Sequence, residues 1–218
     1  MTTKVTGDQY ERLDAKLFEI KRQIRQRSGY PFDANALEKS LQFIIEGIFP
    51  ENACTKNWTE LDGVIYFTVV SNGKTGPEWL THFESKKVQI SHTAKSIILS
   101  GDFKPTSGVV YKVAVIRGEF FSSDADRIRS KIMEEAHNRK MTVPNPEVAC
   151  LIRDMFTDEQ IKQTGLYWII TMHHPIKDHV GGRGSLGVHA NASRLGAFYG
   201  CVGGVWKRGN GFAFISHE

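Results

Sequence analysis

The sequence predicts an α+β protein: a mixed β-sheet with packed helices, an N-terminal helical arm and an antiparallel, glycine-rich C-terminal portion. Three observations carry this. Four runs rich in β-branched and aromatic residues each follow a glycine: Gly63-Val-Ile-Tyr-Phe-Thr-Val-Val, Gly108-Val-Val-Tyr-Lys-Val-Ala-Val-Ile, Gly165-Leu-Tyr-Trp-Ile-Ile-Thr-Met and Gly211-Phe-Ala-Phe-Ile-Ser. Their length and composition favour strands over short helices. Helix-start signals fill the gaps between the first three runs. Half of the 20 glycines then fall between Gly181 and Gly211, where helical periodicity stops.

In chain order, Tyr10, Leu13, Leu17, Ile20 and Ile24 recur at alternating spacings of three and four, which predicts an amphipathic helix over 8–27. The stripe suits docking on a core, a partner helix or a second copy of the chain. Ser28-Gly-Tyr-Pro31 ends it. Asp33 is placed to cap a second helix, with Leu37, Leu41, Ile44 and Ile45 inward and Gly47 as its stop. The polar, irregular stretch from Phe49 to Asn57 separates an arm over 1–50 from a body over 58–218.

Within the body, the near-continuous apolarity of the first three runs predicts central strands. Thr75-Gly-Pro-Glu78 is a capping-box pattern opening a helix to about Lys86, and Ser91 begins another with Ala94, Ile97 and Ile98 inward. Ser123 with Asp124 and Asp126 suits a helix N-terminus, with Ile128, Ile132 and Ala136 as its buried face. Asn145-Pro146 opens a helix carrying Val148, Leu151, Ile152 and Met155, and Thr157-Asp-Glu-Gln160 is a second capping box. Beyond His174 the pattern predicts a β-meander with a long loop.

Composition narrows the classes. A 218-residue chain with 40% hydrophobic and 24% charged residues fits a folded globular protein rather than a disordered one. Its longest apolar runs fall far short of the ~20 residues that span a bilayer, and the first residues lack the apolar core of a signal peptide. We therefore expect a cytoplasmic protein without membrane association. Cys54, Cys150 and Cys201 show no CxxC pairing, which argues against a disulfide framework. The net charge of +4 is compatible with polyanion binding without demanding it.

Four of the eight histidines fall between His173 and His189. Imidazole ligates metals and moves protons near neutral pH. A zinc site or that of another divalent metal would draw on His173, His174, His179 and His189, with Asp178 and Cys201 as additions, although the spacing matches no standard motif. His173 and His174 close a predicted strand, so their side chains should point to opposite faces. In a metal-dependent hydrolase Asp178 would orient water or complete the ligand shell. Without metal, His173 or His174 would act as base and Cys201 or Ser185 as nucleophile. The catalytic candidates are thus His174, Asp178 and Cys201; Arg183 replaces the first glycine of a nucleophile elbow around Ser185.

Gly182-Arg-Gly-Ser-Leu-Gly187 is formally GxGxxG, but no helix fits after it and Lys207 or Arg208 stands where an acid belongs, so a dinucleotide fold is rejected. Phosphate contact by Arg183 and Arg194 stays open. A basic, aromatic set follows: Arg194, Phe198, Tyr199, Trp206, Lys207, Arg208, Phe212 and Phe214. Aromatic rings beside cations hold single-stranded nucleic acid. Phe212 and Phe214 share one strand face, which predicts their burial.

The segments Arg27-Ser-Gly-Tyr-Pro-Phe32, Thr75-Gly-Pro-Glu-Trp79, Asn145-Pro-Glu-Val-Ala-Cys-Leu-Ile-Arg153 and Gly211-Phe-Ala-Phe214 resemble an uncharacterised family of bacterial proteins with no known activity. The resemblance implies one coherent module in a cytoplasmic bacterial protein and transfers no catalytic residue.

The sequence ranks a non-enzymatic binding module first. A protein partner would engage Tyr10, Leu13, Leu17, Ile20 and Ile24; nucleic acid or phosphate would engage Arg183, Arg194, Trp206, Lys207 and Arg208. The metal-dependent hydrolase is the alternative, and a phosphate- or nucleotide-binding protein the third reading.

Overall fold

A computed structural model describes residues 7–25, 57–199 and 205–217, together with Glu38 and Gln42. The chain divides into two compact units, residues 1–53 and 54–218. In the first, helix α1 spans Gly7–Ile24 and exposes Tyr10, Leu17 and Phe18. The side chains of Leu13, Ile20 and Ile24 lie outside the described residues. So do Cys54, Cys201 and, apart from Glu38 and Gln42, the helix predicted from Asp33 to Gly47.

The second unit is built on one mixed sheet. Its strands are β1 (Thr59–Leu61), β2 (Val64–Asn72), β3 (Gln89–Ile90), β4 (Ser107–Arg117), β5 (Trp168–Thr171), β6 (Ile176–Lys177), β7 (Arg183–His189), β8 (Arg194–Tyr199) and β9 (Asn210–Ile215). They run in the order β1-β2-β4-β9-β5-β7-β8-β3, with β6 paired to β7. The pairings β5–β9 and β3–β8 are parallel and the rest antiparallel. The α+β class predicted from sequence is what the structure shows.

Local chemistry explains the boundaries. Asp62 and Gly63, both at positive φ, form the two-residue turn between β1 and β2, the mirror-image geometry that suits strand twist. Helix α2 (Gly76–Ser85) opens on the predicted capping box: the Thr75 N–H and hydroxyl donate to Glu78 Oε2 at 2.7 and 2.8 Å. Helix α3 (His92–Ile98) is capped by Ser91, whose Oγ accepts the Ala94 N–H. Helices α5 (Glu147–Met155) and α6 (Asp158–Gln163) follow, the second with its own capping box on Thr157 and Gln160.

Two features differ from the sequence expectation. The acidic stretch after Ser123 forms only a 3-10 turn at Asp124–Asp126, and α4 begins later, spanning Arg129–Asn138. The buried Arg127 explains the delay. Its guanidinium pairs with Asp124 and donates to the carbonyls of Phe121 and Trp206, holding the chain in a turn. The C-terminal portion is also not a simple meander. β9 leaves β8 and inserts between β4 and β5, with every residue from Asn210 to Phe214 buried.

The sheet has two unequal faces. Helices α2, α3, α5 and α6 cover the first, burying Trp79, Phe83, Ile97, Ile98, Ile152 and Ile161 against Ile65, Val115, Ile169 and Leu186. On the second, α4 lays Ile132 and Ala136 over Ala114, Ile116, Ile170, Phe212 and Phe214. Over β7 and β8 the start of α4 reaches that second face at Ser185, through Arg129, while His189 and Phe198 stay half-buried.

Candidate nucleic-acid interface

Strand alternation decides which side chains of β7 and β8 reach the second face. Leu186, Val188 and Leu195 pack into the first-face core, so their neighbours on β7 and β8 turn the other way. These are Ser185, Gly187 and His189, with Arg194, Gly196 and Phe198. The register places Ser185 opposite Phe198, Gly187 opposite Gly196 and, on the other side of β7, Trp168 opposite His189.

Two glycines at the centre leave a floor without side chains. A Cβ added to Gly187 would stand 2.7 Å from the Phe198 ring, and one on Gly196 would stand 2.9 Å from the Trp168 ring. The rings therefore rest directly on the sheet backbone. Trp168 meets Phe198 edge-on at 4.7 Å and His189 at 4.4 Å, giving a half-buried row of three rings. Arg153, on α5, supports the row from below by donating to the His189 carbonyl at 3.2 Å. The adjoining turn is held by Asp158, which accepts the Ser193 N–H and pairs with Arg153.

Cations flank the row. Arg194 is exposed beside the His189 end, and Lys207 and Arg208 are exposed in the segment leading into β9. Trp206 is half-buried, stacked on Phe212 with ring centroids 5.0 Å apart. Arg183 is exposed at the start of β7 and donates to the Pro175 carbonyl at 3.3 Å. Phe212 and Phe214 are buried, as predicted, and Tyr199 turns to the first face.

At the opposite end stands Arg129. Its guanidinium donates to Ser185 Oγ at 3.2 Å and to the carbonyls of Met172 and His173 at 3.2 and 2.7 Å. These acceptors are all neutral. The other well-buried arginines each hold a carboxylate: Arg117 with Glu60, Arg127 with Asp124, Arg139 with Glu135 and Arg153 with Asp158. Arg129 has none among the described residues, and burial pulls its pKa below the ordinary arginine value.

The histidines do not assemble into one site. His173 is fully buried; its Nδ1–H donates to the His174 carbonyl and its Nε2 accepts the Leu186 N–H, so both nitrogens are occupied. Burial pushes its pKa down to about 4, which suits a structural neutral imidazole. His174 is exposed, and neither histidine closes a strand as expected, because β5 ends at Thr171. His179 packs against His92 with centroids 4.3 Å apart. His189 lies in the ring row with its Nδ1 accepting the Asn191 N–H.

Asp178 accepts the Tyr199 hydroxyl, which chiefly holds its carboxyl below the usual range, and the N–H groups of Val180 and Gly182, which add to that. It is a turn-forming residue here. Among the described residues no three His, Cys, Asp or Glu side chains gather to hold a metal ion, so the ligand set His173, His174, His179 and His189 is not brought together. Ser185 is buried, and its hydroxyl reaches the backbone carbonyl of His173, not the imidazole. Gly182–Gly187 runs into strand β7 rather than a helix, in keeping with the rejected dinucleotide motif.

Sequence reasoning missed Trp168, His189 as a ring-row member, the two glycines and Arg129. The paired glycines in neighbouring strands are the one signal that pointed there. Comparison with protein-family models, with curated proteins and with solved structures finds no match to this chain.

Proposed function

We propose that this protein is a binding module that holds single-stranded nucleic acid on the open face of β5, β7 and β8. The observation that carries this reading is the three-ring row His189–Trp168–Phe198 resting on Gly187 and Gly196 between two arginines. Every base has a π-face, so stacking on such rings is strong and tolerant of sequence, and flanking cations attract the backbone. No acidic residue interrupts the second face of these three strands. Arg194 and Arg129 stand near opposite ends of the row, about four residues apart along β7, which is roughly 13 Å at strand rise. That span suits a short run of nucleotides.

The test is fluorescence anisotropy with a labelled single-stranded oligonucleotide at several salt concentrations. Trp168→Ala and Phe198→Ala are each expected to weaken binding by about 1–3 kcal/mol, the worth of one base–aromatic stack. Affinity should fall as salt rises, with a slope reduced in Arg194→Ala. Unchanged affinity in both ring variants, with folding intact, sinks the reading.

A protein partner on α1 is the second reading, favoured by the exposure of Tyr10, Leu17 and Phe18 on that helix.

A further inference from the structure

The end of the sheet beside the ring row carries a fourth ring. Tyr167 directly precedes β5 and is 65% exposed, whereas the three rings of the row are half-buried. It is not a loose side chain. Its N–H donates to the Gly209 carbonyl and its own carbonyl accepts the Ala190 N–H, both at 2.9 Å. A Cβ added to Gly209 would stand 2.5 Å from the ring, so Tyr167 leans on bare backbone as Trp168 does on Gly196. These bonds also fix its neighbours. Ala190 follows His189 of the row, and Gly209 follows Lys207 and Arg208. Both cations are exposed, and among the described residues neither holds a carboxylate. Glu119, next to the Gly118 that packs against this segment, is turned to Arg117 at 3.7 Å. An anchored ring with open surface beside two cations is the arrangement that stacks a base and draws its phosphates.

We infer that Tyr167, with Lys207 and Arg208, forms a second stacking site, so that a nucleic-acid strand longer than the ring row turns over the start of β5 and continues onto it. This inference rests on the aromatic-face reading and adds the ligand's path beyond the row. Tyr167 lies outside the strand, one residue before Trp168, so a ligand reaches it by passing off the end of the sheet rather than further across it. A single strand can make that turn because its bases unstack and splay out. The path also gives the basic pair its role. Lys207 and Arg208 stand beside Tyr167, and they hold phosphates of the part that has left the sheet.

Two labelled oligothymidylates decide it by anisotropy: one of three nucleotides, which the row can hold alone, and one of twelve, which reaches past it. Tyr167→Ala is expected to weaken binding of the longer strand roughly 5- to 150-fold, the worth of one base–aromatic stack, and to leave the shorter unchanged. Tyr167→Phe, which keeps the ring, should bind both as the unmodified protein does. The double variant Lys207→Ala/Arg208→Ala should lower the longer strand's salt slope by about 1.4, the share of two phosphates on a single strand, and spare the shorter's. Should Tyr167→Ala fail to fold, that double variant on the protein surface decides by the same comparison. An equal effect on the two lengths, or none on either, overturns the second site, while binding of the shorter strand keeps the ring row. If the unmodified protein binds neither length, both readings fall.

Discussion

His173 sits fully buried with both ring nitrogens committed, and burial holds its pKa at about 4 against about 6.5 for an ordinary histidine. In the unfolded chain the ring takes up a proton as pH falls through about 6.5, while the folded state resists protonation until about 4. The unfolded state therefore binds more protons across that window, and stability declines as pH falls within it. The full loss is on the order of 3 kcal/mol below the folded-state pKa. Denaturant midpoints measured from near neutral pH down to about pH 4.5 should show this decline. His173→Gln, whose Oε1 can accept the Leu186 N–H, should flatten it; parallel profiles for the two proteins would refute the assignment. The carboxyl of Asp178, held below its usual range, acts in a lower and separate window: its contribution is present above the unfolded carboxylate pKa and lost as pH falls further. Single residues were unevenly legible. The unlike exposure of His173 and His174 matches the alternation expected at a strand end, although β5 stops at Thr171 and a strand does not impose it. Neither the role of His173 nor the missing counter-charge of Arg129 was legible, because both depend on Leu186 and Ser185 in a strand that pairing brings alongside.

Among the elements, β8 shows how one missing side chain shapes a surface. The Trp168 indole lies where a Cβ on Gly196 would be, so Gly196→Ala must lift or turn the ring. Phe198 and His189 pin it from both sides. The expected cost is about 1–3 kcal/mol of stability, the range for overpacking. Oligonucleotide affinity should drop together with it, as in Trp168→Ala. Thermal melts and anisotropy on the same sample separate the two effects, and an alanine variant with full affinity would show that the ring position does not matter for binding. The helices α2, α3, α5 and α6 were readable because their start signals are local: Thr75 with Glu78, Ser91 with Ala94, Asn145 with Glu147, Thr157 with Gln160. The late start of α4 was not. Arg127 holds that turn through the carbonyl of Trp206, 79 residues away in sequence, and no local pattern reports such a bond.

For the whole molecule, sequence periodicity identified β2, β4, β5 and β9 as strands but not their order. Glycine-punctuated segments without helical periodicity suggested that β9 belonged to a C-terminal meander, whereas it pairs with β4 on one side and β5 on the other and is buried along almost its whole length. Order is a property of long-range pairing, and residues on one strand say little about which neighbour they meet. Among the described residues no helix is long and apolar enough to cross a membrane. Assembly is open to direct measurement. If α1 pairs with a second copy, light scattering over a concentration series should show the mass rising from one chain toward two, and Leu17→Glu should hold it at one. A single-chain mass at every concentration would rule self-association out. The position of β9 also has a consequence for synthesis. During translation β4 and β5 emerge with bare facing edges, at Val113–Arg117 and Trp168–Thr171, that find their shared neighbour only when residues 210–215 clear the ribosome. Until then the nascent chain carries two adhesive seams, and unfinished copies on one messenger lie close enough to join through them.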